Sequence, residues 1–245
     1  MGGRGSFSYG GVVWGGDINI GKGGGEPGLL AAENRKELAD LAVAAGFTRA
    51  MGTSGVDEEV MRNSLNRIRQ LEGKYGVLAE SEDPVLVGSV EDNAIAYVDQ
   101  DYGNNRAQNM GFSPTKMGDA QKLYDAQLHG QSSGWFMPSR TDRATLLGYT
   151  ATHEYGHMLE NVLYQRYRDA GGTKSEYAWA SDVRDDVMRL AGYRGYTAGR
   201  NYKSLSTYGG KNAYEFFAEA FANANSGAEN RIGRALNTWL ERQGY

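Results

Sequence analysis

The stretch from about Arg143 to Asp169 contains no proline and is stopped by Gly171-Gly172, which predicts one long helix. Two of the chain's 3 histidines fall inside it, as His153-Glu154-Tyr155-Gly156-His157. On a helix, positions i and i+4 lie one turn apart on the same face, so both imidazoles can reach a single metal ion. Glu154 projects beside them, where a carboxylate can take a proton from a metal-bound water. Gly156 costs about 1 kcal/mol relative to alanine in a helix interior. A closely approaching backbone or substrate is a reason to keep no side chain there. The plain alternative is that five residues match HExxH by accident and the histidines are merely packed or exposed.

Zinc needs a third protein ligand if a fourth position is to stay open for water. The extended HExxHxxGxxH pattern is absent, because Glu160 and Leu163 stand where Gly and His would be required. A carboxylate further along is therefore sought. In Asn212–Phe221, Glu215 and Glu219 share a predicted helix face, while Phe216, Phe217, Ala220 and Phe221 can bury the rest. Two carboxylates in that relation suit one ligand and one partner that orients a ligating histidine. Taken alone, the same segment reads as an amphipathic helix with two solvated glutamates. Glu176 is a rival ligand, in a polar stretch just past the glycine break.

The rest of the chain sets the frame. Net charge is −4, without the basic excess of a nucleic-acid-binding domain. Cysteine is absent, which removes disulfide scaffolds, thiolate zinc sites and cysteine nucleophiles together. No apolar run is long enough to span a bilayer. Arg4 is not followed by an apolar core segment, so no signal peptide is expected and the chain is expected to stay inside a cell. Of the 35 glycines, 12 lie in residues 1–28, which predicts a flexible tail. The Gly23–Gly28 match to GxGxxG has too little strand before it to suggest a dinucleotide site. The polar run from Asp99 to Met110 lacks the glycine and terminal glutamate of a calcium loop.

From Leu29 onward the composition is globular. Helices are predicted over 29–45, 56–72 (with Ser54 as cap), 115–128, 143–169, 181–191, 212–224 and 229–242. Strands are predicted at 85–87, 94–98, 107–112 and 134–138. Strands in the middle and helices on both sides give an α+β class. One domain is expected over 29–245, with a helical part at 29–75 and a core at 85–245.

The pairing of HEYGH with the later Tyr208-Gly209-Gly210-Lys211-Asn212-Ala213-Tyr214-Glu215-Phe216-Phe217-Ala218-Glu219 resembles the catalytic domain of anthrax lethal factor and the related Pro-Pro endopeptidases. These are zinc metallopeptidases of the gluzincin type. Trp135–Asn161, Ser206–Ala222 and the opening MGGRGS are also similar to a metallopeptidase domain of phage head-morphogenesis proteins. The likeness covers roughly residues 93–242 and is weak outside the two motifs. It implies a zincin-like fold, a small mixed sheet packed against the long HExxH helix and further C-terminal helices. It also implies one zinc per chain, held by His153, His157 and Glu215, with Glu154 as general base. Tyr208 would stabilise the oxyanion and Glu219 would support the ligands.

The expected activity is therefore zinc-dependent endopeptidase action on a protein or peptide. Trp135, Phe136 and Met137 are expected to offer an edge strand to an extended substrate. Phage head proteins are candidate partners, nucleic acid and membrane are not, and the location is a bacterial cytoplasm or a virion. The alternatives are a zinc-stabilised binding or virion module without turnover, and a hydrolase acting on a non-peptide bond.

Overall fold

The computed structural model describes residues 4–7, 29–88, 94–100, 108–136, 142–193, 205–227 and 230–245. It is a mixed α+β arrangement dominated by helices. The strands are β1 (Arg4–Phe7), β2 (Arg49–Met51), β3 (Val85–Val87), β4 (Ala96–Gln100) and β5 (Gln108–Phe112). The helices are α1 (Leu29–Ala44), α2 (Glu58–Tyr75), α3 (Pro114–Met117), α4 (Ala120–Ser132), α5 (Arg143–Asp169), α6 (Glu176–Leu190), α7 (Ala213–Ala224) and α8 (Arg231–Arg242). The sheet runs β1-β4-β5-β3-β2, parallel across β2, β3 and β5 and antiparallel across β5, β4 and β1.

Helix α5 is the axis of the molecule. Asp142 caps it by accepting from the Thr145 amide, and it stops where Gly171 turns left-handed (φ 86°) and the Gly172 amide reaches back to the Tyr167 carbonyl. Every residue from Leu146 to Leu163 is buried, so the helix is enclosed on all sides rather than amphipathic. It packs against α2, α4, α6, α7 and β4. Its polar residues must therefore find partners inside the protein.

Two helical glycines set how closely the neighbours approach. A Cβ on Gly156 would lie 3.0 Å from the Ala218 Cα and 3.2 Å from the Phe221 Cβ, so α7 rests directly on the α5 backbone. A Cβ on Gly148 would sit 3.4 Å from the Arg67 Cβ, ordinary contact with α2. The close approach anticipated for Gly156 is thus a helix backbone.

Several expectations need correction. Arg4–Phe7, inside the glycine-rich stretch, pairs with β4 instead of forming part of a free tail, and residues 8–28 (the GxGxxG match included) lie outside the described residues. Asp57, not Ser54, caps α2, because its carboxylate accepts from the Glu59 and Val60 amides. The single helix expected at 115–128 divides at Gly118, and Asp119 caps the second piece. Helix α6 begins at Glu176, earlier than predicted, because Ser175 supplies the cap.

The strand expected at 134–138 is not formed by Gly134–Phe136. Gly134 adopts φ 70° and the Trp135 amide bonds the Gly130 carbonyl, so these residues close α4 in a tight turn. Met137 and Pro138 lie outside the described residues, as does much of the run from Asp99 to Met110. No helix among the described residues is long and apolar enough to cross a membrane.

The glycines predict opposite responses. In Gly156→Ala, overpacking of about 1–3 kcal/mol should exceed the gain of about 1 kcal/mol in helix propensity. Gly148→Ala should be neutral or stabilising by up to about 1 kcal/mol. Denaturant unfolding of both variants measures this, and an equal response would place the α5–α7 contact elsewhere.

Candidate metal centre

Each residue of the His153–His157 pentapeptide has a distinct environment. Tyr155 points to α2, where its hydroxyl donates to Glu72 (2.7 Å) and accepts from the Val77 amide (3.3 Å). Glu72 also accepts from the Leu78 and Ala79 amides, so this carboxylate ties the α2 exit to α5. Gly156 admits α7. His153 and His157 then face the first turns of α7, with ring centroids 4.9 Å apart and planes at 81°.

Helix α7 delivers the acids. Asn212 caps it by accepting from the Glu215 amide at 2.9 Å, which places Glu215 in the first turn. A carboxylate is electrostatically favoured at a helix N-terminus. The Glu215 Oε2 lies 3.2 Å from the His153 Nε2 and 3.4 Å from the His157 Nε2. The Tyr208 hydroxyl donates to the Glu215 Oε1 at 3.2 Å. One turn further, the Glu219 Oε1 lies 3.0 Å from the His153 Nδ1.

Glu219 is itself held from two sides. Tyr149 donates to its Oε1 (3.1 Å) and Ser206 to its Oε2 (2.8 Å), while the Ser206 Oγ accepts from the Gly209 amide. The 205–211 turn that carries Ser206 and Tyr208 is pinned in turn: the Thr207 and Tyr208 amides donate to the Gly134 and Trp135 carbonyls, both at 2.9 Å. Trp135 lies against Tyr208 (5.9 Å) and Phe136 stacks on Tyr149 (4.9 Å). These two aromatics therefore buttress the site, and the Gly134 and Trp135 carbonyls are already engaged by the 205–211 turn.

Burial governs the charges. It opposes the charge on both imidazoles, but the facing carboxylates outweigh it: Glu215 and Glu219 raise His153 to about 9, and Glu160 and Glu215 raise His157 to about 10. Burial pushes Glu215 upward, yet the two imidazoles hold it well below the usual carboxylate range. Burial is also the main cause that lifts Glu154 to about 7, and it carries the Tyr208 phenol far upward with help from the nearby carboxylates. The carboxylates thus favour positive charge at the two rings.

Two features fit a metal ion. Donors bound at about 2.1 Å to one tetrahedral ion stand roughly 3.4 Å apart, close to the nitrogen-to-oxygen separations around Glu215. Among the described residues, His153, His157 and Glu215 form a group whose ligand atoms all lie within 4.8 Å of one another. Among the described residues, both Glu154 carboxylate oxygens are buried without a hydrogen-bond partner, and the His157 nitrogens meet carboxylates only at 3.4 Å (Glu215) and 3.8 Å (Glu160), an arrangement that a bound ion with its water would relieve. The rival Glu176 starts α6 and does not belong to this group.

The structure thus brings together His153, His157, Glu215, Tyr208 and Glu219, with Glu154 next to His153 on α5. Tyr149 and Ser206 are additions. Tyr149 stands one turn before His153, so helical spacing contained a signal for it; Ser206 comes from a turn and gave none. No family model, curated protein or solved structure matches the chain, so the reading of this centre rests on its own geometry.

Tyr155→Phe should lower unfolding stability by about 1–3 kcal/mol, because the buried Val77 amide loses its acceptor. His153 and His157 should keep their environment, observable as unchanged imidazole resonances by NMR. Shifted resonances would mean that Tyr155 also shapes the centre.

Proposed function

We propose that this chain is a zinc-dependent endopeptidase with a zincin-like arrangement, and that His153, His157 and Glu215 hold one zinc. The observation that carries the reading is Glu154: a carboxylate wholly buried, without a hydrogen-bond partner among the described residues, on the same helical turn as two imidazoles that share a third acidic neighbour. Such a group is costly in a merely structural role. It is suited to holding a proton in transit.

When bound, zinc would supply Lewis acidity toward a water and a peptide carbonyl. The chain's own residues do the rest. Glu154 accepts the proton of the attacking water as the oxygen–carbon bond forms, then returns it to the amine nitrogen as the carbon–nitrogen bond breaks. Tyr208 presents a hydroxyl donor within the cluster, available to a developing oxyanion. Glu219, held by Tyr149 and Ser206, fixes the His153 ring through Nδ1 and keeps Nε2 directed at the centre. A protein or peptide substrate, with phage head proteins among the candidates, follows from the likeness of the two motifs, as does a bacterial or virion location.

One observation favours a second reading. His153 and His157 are almost fully buried and Tyr208 already bonds Glu215, an enclosed arrangement that also suits a structural ion in a binding module.

Metal analysis should find about one zinc per chain, lost in His153→Ala and Glu215→Ala. Glu219→Gln should weaken zinc binding about 10–100-fold. Glu154→Gln should keep its zinc and generate none of the new N-termini that the wild-type chain produces in a bacterial lysate. A zinc-loaded wild type that yields no more new N-termini than Glu154→Gln would favour the structural reading. Absence of zinc binding would remove both.

A further inference from the structure

A second polar site lies on another face of α5. Gly148 and Thr152, together with α2 and the turn that follows α7, line a cavity of about 300 Å³, at the lower end of the range for small-ligand sites. Among the described residues its lining includes the amide side chains of Asn63, Asn66 and Gln70 and the hydroxyl of Thr145, and no carboxylate. Arg67 is the only charged side chain in it among the described residues.

Arg67 differs from the surface arginines. Arg49, Arg62, Arg143 and Arg166 each meet a carboxylate, at Asp83, Glu37, Glu59 and Glu80. Arg67 is set deeper and among the described residues meets only neutral groups: its Nε donates to the Thr152 Oγ1 (3.3 Å) and its Nη1 to the Gln70 Oε1 (3.0 Å). Its Nη2 is buried without a hydrogen-bond partner among the described residues. A guanidinium stays charged at any physiological pH, so burial cannot neutralise it. A partly desolvated cation without a counter-charge among the described residues is costly, and an anion supplied from outside would compensate it.

We infer that the cavity between α2, α5 and the 225–227 turn binds a small oxyanion ligand, phosphate or carboxylate, through Arg67. The guanidinium fork matches either group, and the surrounding amides and hydroxyls can complete its hydrogen bonds. The inference does not depend on the zinc reading, since none of the proposed ligands lines this cavity.

Calorimetric titration of the full chain with inorganic phosphate, with succinate and with uncharged glycerol tests it. Saturable binding of phosphate, succinate or both is expected, without binding of glycerol; whichever anion binds identifies the oxyanion class. Arg67→Gln should weaken binding by about tenfold or more. Asn66→Asp, at an exposed lining position, should weaken it similarly by adding a negative charge while leaving Arg67 in place. The inference is overturned if neither anion binds, if glycerol binds equally well, or if both variants bind as the wild type does. It is also overturned if binding survives Arg67→Gln and disappears in Glu215→Ala, which would put the anion at the metal centre.

Discussion

The contact between α5 and α7 carries the electrostatic weight of this protein. Helix α5 takes two imidazoles and two carboxylates, Glu154 and Glu160, through a region where every side chain is buried, and water cannot solvate them there. Glu215 and Glu219 answer from one face of α7, at 3.2 and 3.0 Å from the two nitrogens of His153. Removing one partner from such a buried set leaves the others uncompensated, typically at about 3–5 kcal/mol. The approach that makes these distances possible depends on Gly156, where α7 lies against bare backbone. Packing and chemistry therefore constrain the same turn of helix.

The centre is built outward in layers that each hold the next. The 205–211 turn is bonded to the end of α4, which fixes Ser206 and Tyr208; these hold Glu219 and Glu215, which face the imidazoles. Glu154 stands apart from this chain of bonds. Its lack of a hydrogen-bond partner among the described residues sets it off from Glu219, whose oxygens receive donors from Tyr149 and Ser206 as well as facing His153. The proposed roles follow that contrast: a fully bonded carboxylate positions a ring, and an unbonded one is available to a proton.

The two sites make different use of α5. The face carrying His153 and His157 meets acids and favours a cation. The face carrying Gly148 and Thr152 meets Arg67 and neutral amides and hydroxyls. Opposite charge preferences on two faces of one helix leave each site free of the other's counter-charges.

The sequence by itself determined the long helix, its glycine stop and the register of HExxH, because helix periodicity and capping are local. It also marked Glu215 and Glu219 as sharing a face, since i and i+4 coincide on any helix. The tertiary structure alone decided that this face meets the imidazoles, that Ser206 reaches Glu219, and that Trp135 and Phe136 close a helix and buttress the centre. The tight turn at Gly134 depends on which carbonyls its neighbours can reach. The cavity at Arg67 was equally hidden, because which groups surround a cation is decided by what folding places around it, and a linear chain carries no record of that.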